Sequence, residues 1–317
     1  MKIKSIVILL IFVIAAVLYI ACVKSPVSSN EEQTETELIS IFREDWTLSS
    51  KPVGLDQANP RGKLIWYNPY TMIATDEIWD RELARGETGT HTIWMEFTPS
   101  DTGTVSGSWA GIMQYVRITQ LREDTAQYLE LHMYGSSGII HIDMGSISED
   151  VNGNGQLDTE DKPDPYSLIP NGIIDSGEDV GLDGIVDNNE PGYDPATNPD
   201  PNGDNWWYNG AGIVCADCTA DPYDYRYING TEGNELDPGK YGKPDTEDLD
   251  REGDSDRQNS YVSYKIDLEN SGFLLSGSEY NGWNTYRIPL NDSLLADTII
   301  SPGDFSFPIG SRLKCIR

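Results

Sequence analysis

"YLELHMYGSSGIIHIDMG", Tyr128 to Gly145, alternates with a period of two. Leu129, Leu131 and Met133 fall on one face of its first half, with Glu130 and His132 on the other; Ile140, Ile142 and Met144 repeat the pattern in the second half. That alternation belongs to a strand with one face on a core and one toward water. "GSSG" between the halves reads as a hairpin turn, so the two are expected as neighbouring strands.

The same period recurs elsewhere. "THTIWMEF" (91–97 region) sets Ile93, Met95 and Phe97 against Thr92, Trp94 and Glu96, and "SYVSYKIDL" does so with Val262, Tyr264, Ile266 and Leu268. "GWNTYRIPL" closes the series, and convincing helix is almost absent. Antiparallel sheets packed face to face are the architecture that needs such strands. The expected fold is all-β, a jelly-roll-like, galactose-binding-like β-sandwich over 39–317, built from 60–145 and 260–300.

Between those blocks lies an acidic insertion, about 148–258. From Asp143 to Asp256 the sequence holds 29 Asp and Glu against 5 Lys and Arg, most of the formal net charge of -30. Such a charge excludes nucleic acid as a partner, because phosphate binding needs Lys and Arg. Mutual repulsion opposes folding of the insertion unless cations neutralise it.

Its internal repeat names the cation. "NGQLDTED" (154–161), "NGIIDSGE" (171–178) and "DGIVDNNE" (183–190) share Asx-Gly, any residue, an aliphatic, Asp, two residues and an acid; "EGDSDRQN" (252–259) is a degraded fourth copy. This is the distal part of a twelve-residue calcium loop. In that pattern positions 1, 3 and 5 offer side-chain oxygens, Gly at 6 turns the chain, 7 gives a carbonyl, and 9 and 12 give further oxygens. Loop 1 supplies Asp150, Asn152, Asn154, Gln156 by its backbone, Asp158 and Asp161. Loop 2 has Ser167 and Ile169 where positions 1 and 3 belong and is a half-site. Loop 3 offers Asp179, Asp183, Ile185 by its backbone, Asp187 and Glu190. Loop 4 offers Asp248, Asp250, Glu252, Asp254 and Asp256, with Asn259 at position 12. The aliphatic at position 8 (Leu157, Ile174, Val186) is expected to tuck into a small local core. No amphipathic helices flank the loops, which resemble the free-standing calcium loops of dockerins and thrombospondin repeats. The alternative is an Asp/Asn/Gly-rich linker without metal.

"MKIK" followed by "SIVILLIFVIAAVLYIAC" reads as a secretory leader over 1–22, with Ala21 before Cys22 as in a lipoprotein processing site and Cys22 as the lipidated residue. The rival reading is an uncleaved membrane anchor. Residues 23–38 read as a flexible tether. "CADC" places Cys215 and Cys218 for a short-loop disulfide, with free thiols or half a zinc site as alternatives. His132 and His141 are expected on adjacent strands and solvated. Trp206, Trp207 and Tyr208 in "NWWYNG" either stack on a sugar or pin the insertion to the sandwich. No nucleophile elbow, phosphate loop or dinucleotide fingerprint is present, and no enzyme activity is expected.

"RGKLIWYNPY" (61–70), "SWAGIMQYV" (108–116), the run from Tyr128 to Asp161, "GLDGIVDNNE" (181–190), "YINGTEGNELDPGKYGKPDTEDLDREGD" (227–254) and "NGWNTYRIPLND" (281–292) follow one another in an order that resembles the SprA family over roughly 40–295. These are large cell-surface proteins of gliding motility and type IX secretion. The resemblance implies a module of an outer-membrane translocon, exported to the surface of a Gram-negative bacterium, with other secretion and motility components as partners. It also implies a further sandwich strand after Asp292, where the chain instead reads "SPGDFSFPIGSRLKCIR", the wording of a truncation or frame change. The alternative function is a stand-alone surface lipoprotein with a carbohydrate-binding sandwich.

Overall fold

The computed structural model describes residues 39–300 and 313–317, apart from 43–44, 57–58, 70–71, 84, 101–106, 117–125, 136, 164–165, 167–169, 173–174, 176, 179, 198–243 and 291. It gives backbone alone for 12–22, 35–37, 65, 126–127 and 293. The strands are β1 Phe12–Cys22, β2 Glu35–Glu37, β3 Thr47–Leu48, β4 Lys63–Tyr67, β5 Ile73–Ala74, β6 Gly89–Thr90, β7 Ile93–Thr98, β8 Ile112–Tyr115, β9 Ala126–Tyr134, β10 Ile139–Ser146, β11 Ser260–Asp267, β12 Trp283–Pro289, β13 Thr298–Ile300 and β14 Cys315–Ile316; one short helix, α1, spans Thr75–Ile78.

Two antiparallel sheets share one core. The first runs β12-β9-β1-β7-β4 with β2 beside β1, and the second runs β13-β11-β10-β14-β8-β3. Leu129, Leu131 and Met133 from the first meet Met144, Val262, Tyr264 and Ile266 from the second, as their alternation requires. The residues assigned inward on β7, β9, β10 and β11 all belong to this core or pack against it, and β12 adds Tyr286 and Ile288.

β9 and β10 are not paired. They lie in different sheets, so the glycines between them carry the chain across the core instead of closing a hairpin. Gly138, at φ 115°, makes that corner and accepts the Leu268 N–H through its carbonyl at 3.0 Å. Alternation fixes which face a residue takes but is silent on which strand lies beside it. His132 and His141 are therefore on different sheets. His132 is buried, held by Trp79 Nε1 at 3.1 Å, Thr285 Oγ1 at 3.0 Å and Glu130 at 3.0 Å. A sheet face closed over by Trp79 has no solvent to offer it.

The second sheet is also covered over part of the face away from the core. Met113, Ile147, Tyr261 and Cys315 form a cluster on the side away from the core, with Tyr115, Val151, Leu249 and Ile300 packed around it. Val151 and Leu249 come from the acidic insertion, which thus covers this face. Gly145 permits the closest approach: a Cβ there, at φ 147°, would stand 2.3 Å from the Ser260 carbonyl oxygen.

The chain end is also a strand. β14 inserts between β10 and β8. Its register is pinned by Arg317. The guanidinium donates to Asp143 Oδ2 from Nε at 2.8 Å and Nη2 at 2.6 Å and to the Ser50 carbonyl from Nη1 at 3.0 Å. Both residues of this ion pair are buried. Arg61 lies close by, its guanidinium pushed down to about 10 by burial and by Arg317. Removing one partner of a buried pair strands the other charge, so Arg317→Ala is expected to cost about 3–5 kcal/mol, whereas Asp143→Leu with Arg317→Met should cost little or nothing. Urea unfolding of the two variants checks this.

Candidate metal centre

"EDVNGNGQLD" (149–158) and "EDLDREGDSD" (247–256) align without a gap, and the structure folds both in the same way. In loop 1, Asp150 at position 1 accepts the N–H groups of Gly153 at 2.7 Å and Gly155 at 2.9 Å. In loop 4, Asp248 accepts those of Glu252 and Gly253, both at 2.8 Å. Position 4 is left-handed in each, Gly153 at φ 78° and Arg251 at φ 63°, and so is position 6, Gly155 at 71° and Gly253 at 86°. Two such residues two apart wind the chain around the position 1 carboxylate.

That winding brings positions 3, 5 and 9 together. In loop 1 the amides of Asn152 and Asn154 both donate to Asp158 Oδ2 at 2.6 Å. Turning each amide about its axis exchanges nitrogen for oxygen and aims three oxygens at one point. In loop 4 the same positions are Asp250, Glu252 and Asp256, whose carboxylate oxygens lie within 4.8 Å of one another. Glu252 is raised above the usual carboxylate range by Asp250 and then Asp256. An all-oxygen donor set of this kind suits a hard cation. Asp256 is also held by Lys314 Nζ at 2.9 Å.

The two loops clasp each other through residues absent from the calcium-loop pattern. Glu149, immediately before loop 1, accepts the N–H of Leu249 at 3.2 Å and of Asp256 at 2.8 Å. Glu247, immediately before loop 4, accepts the N–H of Val151 at 2.6 Å and of Asp158 at 3.1 Å. Each Glu also donates its own N–H to the carbonyl at position 9 of the other loop, Asp256 at 2.6 Å and Asp158 at 3.0 Å. Both side chains are buried. The pair is reciprocal, with a pseudo-twofold relation between stretches about a hundred residues apart.

Loops 2 and 3 repeat the clasp in part. Glu178 accepts the N–H of Lys162 at 3.1 Å and of Asp175 at 2.9 Å, and Glu160, fully buried, accepts those of Val180 at 3.1 Å, Gly181 at 2.8 Å and Asp245 at 2.8 Å. This reassigns Asp161. Its two carboxylate oxygens accept the N–H groups of Asn171 and Gly172, the service that Asp150 gives Gly155, so Asp161 is position 1 of a lengthened loop 2. Ser167 and Ile169 lie outside the described residues. Asn259 is likewise committed, accepting the Ser148 N–H at 3.0 Å.

The aliphatic at position 8 does not form a local core. Val186 is 42% exposed and Leu157 only half-buried, while Ile174 lies outside the described residues. Position 2 does the anchoring instead, with Val180 buried and Val151 and Leu249 against the second sheet, because the clasp turns that residue inward. In loop 3, Asp183 accepts the Ile185 N–H at 2.8 Å, Ile185 is itself exposed, Glu190 is buried and Asp187 opens a 3-10 turn. Gln156 donates its N–H to Asn154, and Asp254 holds the Ser255 N–H with its carboxylate facing solvent. Asp179, Cys215, Cys218, Trp206, Trp207 and Tyr208 lie outside the described residues. Of Cys22 the structure gives the backbone alone, and among the described residues no helix is long and apolar enough to cross a membrane.

No family model matches the chain, and no curated protein matches it.

Burial pushes Glu149 up to about 7, against the N–H groups of Asp256 and Leu249 and with the aid of Asp250 and Asp256; burial raises Glu247 as well. A carboxyl raised from 4.5 in the folded state contributes stability that is complete below 4.5 and is lost as pH climbs through about 7. Without divalent cation, the protein is therefore expected to become more stable as pH falls from about 8 toward about 5. Glu149→Gln should flatten that slope, as urea melts across the range will reveal. Glu149→Ala and Glu247→Ala each leave buried N–H groups without acceptors and should each cost about 1–3 kcal/mol. The double variant should cost less than their sum.

Proposed function

We propose that this protein is a non-catalytic, calcium-stabilised module of the bacterial cell surface. In this reading loops 1 and 4 each hold a calcium ion through positions 1, 3, 5 and 9, and the ions offset the carboxylate repulsion that otherwise opposes the clasp. Cation binding then serves as folding energy for the insertion. The observation that carries the reading is the convergence of the same three loop positions in two loops of different composition, Asn, Asn and Asp in one and Asp, Glu and Asp in the other. A linker without metal has no reason to repeat it.

The sandwich is of the jelly-roll, galactose-binding-like type in this proposal, and the module belongs to a SprA-like component of gliding motility and type IX secretion. The supports are the ordered sequence resemblance over 40–295 and a leader that delivers the chain to the outer membrane, with Cys22 as its lipid attachment point. Its partners are other components of that secretion and motility apparatus.

Cys315 reports on the test. Its thiol is buried under Val151 and Leu249 and pushed up to about 12, chiefly by burial. In a chain with Cys22→Ala, Cys215→Ser and Cys218→Ser, the remaining thiol should resist a disulfide reagent in calcium. In chelator it should react at least about tenfold faster, as proteolysis opens the region 150–260 while the sandwich core persists. Saturating calcium at about a hundred times its Kd should add about 2.7 kcal/mol per site. Equal thiol reactivity and equal proteolysis with and without calcium would overturn the proposal.

A further inference from the structure

The strand at the centre of the first sheet does not match its neighbours. β1 pairs with β7 from Phe12↔Phe97 to Ala16↔Ile93 and with β9 from Ala15↔Tyr134 to Ala21↔Tyr128, antiparallel to both. On one face the register sets Ile14, Ala16, Leu18 and Ile20 opposite Met95, Ile93, Leu131 and Leu129, all of the core or against it. On the other it sets Val13 opposite Glu96, Val17 opposite His132 and Tyr19 opposite Glu130. β12, on the far side of β9, answers the same residues with Thr285 opposite His132 and Arg287 opposite Glu130, and Arg287 Nε reaches that carboxylate at 3.0 Å. The neighbours of β1 place Glu96, His132 and Glu130 on that second face together with Trp94 and Tyr134, opposite Ala15, whereas "FVIAAVLYIAC" carries no charged residue at either set of positions. A central strand that contradicts the pattern of the sheet around it is a conflict between local sequence and fold.

We infer that the place of β1 between β7 and β9 is an acceptor groove for a strand donated by another polypeptide, filled by the leader only until the leader is removed. The inference rests on the leader reading of residues 1–22. Loss of β1 from a central position leaves two ladders open, one on β7 from Ile93 to Phe97 and one on β9 from Tyr128 to Tyr134. Unpaired ladders flanking an apolar floor take up an extended segment by strand addition, the ladders giving affinity and the alternate side chains specificity. Every other strand among the described residues already has its place in a sheet or ribbon.

The groove states what its occupant looks like. It runs antiparallel to both walls over the length of β1, apolar where Ile14, Ala16, Leu18 and Ile20 stand. It is basic opposite Glu96 and Glu130 and small or hydroxylic opposite Trp94, Tyr134 and His132. Opposite charges directly across a ladder strengthen the pairing, and the chain's net charge of -30 favours a basic donor at longer range.

The experiment uses the full chain with a protease site placed within 23–34 and cut after folding, so that residues 1–22 remain bound without a covalent link. The probe is a labelled peptide of residues 12–22 carrying Val13→Lys, Ala15→Thr, Val17→Thr and Tyr19→Lys. It should displace the cut leader one for one and bind about tenfold more tightly than a scrambled peptide of the same composition. The uncut chain with the same four substitutions should melt several degrees higher than the parent. Failure of the peptide to enter, equal binding of the scramble, or no rise in melting temperature overturns the acceptor groove. The mass of the chain recovered from exporting cells separately tests the leader. Loss of residues 1–21 supports the inference, and their retention overturns it by refuting the leader reading, whatever the peptide does.

Discussion

Four buried or half-buried glutamates, each standing one residue before a loop, hold the insertion together. The physical constraint behind them is severe. A carboxylate taken out of water must find donors, and these find backbone N–H groups that a turn would otherwise leave unpaired. Glu149 and Glu247 each satisfy two N–H groups of the opposite loop, so neither loop is complete without the other. The arrangement binds strongly only if the surrounding negative charge is compensated, and Lys314 on Asp256 with Arg257 beside Asp254 are far short of that among the described residues of loops 1 and 4.

The sandwich depends on the same contact. Its second sheet carries Met113, Tyr261 and Cys315 outward, and these are dry only because Val151 and Leu249 lie on them. Removing that cover would expose a contiguous apolar patch, which monomeric proteins seldom leave open to water. Folding of the insertion therefore keeps this outer cluster of the second sheet dry, while the core between the sheets is built without it. Cover over this part of the outer face keeps Asp143 on β10 and Ser263 on β11 away from solvent, while His141 and Lys265, next along the same face, stay exposed.

Much of this was legible in the sequence, and the residues say why. Leu129, Leu131, Met133, Val262, Tyr264 and Ile266 announce their inward faces by alternation, because a half-buried strand has no other way to satisfy both sides. The partners of those strands were not legible: nothing in "GSSG" distinguishes a hairpin from a crossing between sheets. Loops 1 and 4 were recognisable from their oxygen-bearing positions, while the clasp was missed although its signal is written plainly. A Glu precedes the first Asp of every copy, at 149, 160, 178 and 247, one residue before the twelve ligand positions begin. The lengthened loop 2 hid Asp161 for a similar reason, since a fixed spacing cannot recognise a first position moved upstream. Position 8 is the anchor in the calcium loops that these resemble; here the reciprocal pairing turns position 2 to the sheet.

The root of the insertion is closed by backbone. Thr159 bridges Thr246, Glu160 N–H donates to the Asp245 carbonyl at 3.1 Å, and the Glu160 carboxylate holds the chain both at Val180 and Gly181 and at Asp245. Outgoing and returning chain are thus fastened side by side before the stretch between 197 and 244 begins. A chain whose two ends are already fixed can lengthen cheaply, each doubling costing only about 0.6 kcal/mol of closure entropy. The clasp is therefore also a mounting: a whole folded domain could be spliced into that stretch, by evolution or by design, and the sandwich beneath would carry it without altering a single residue of its own core.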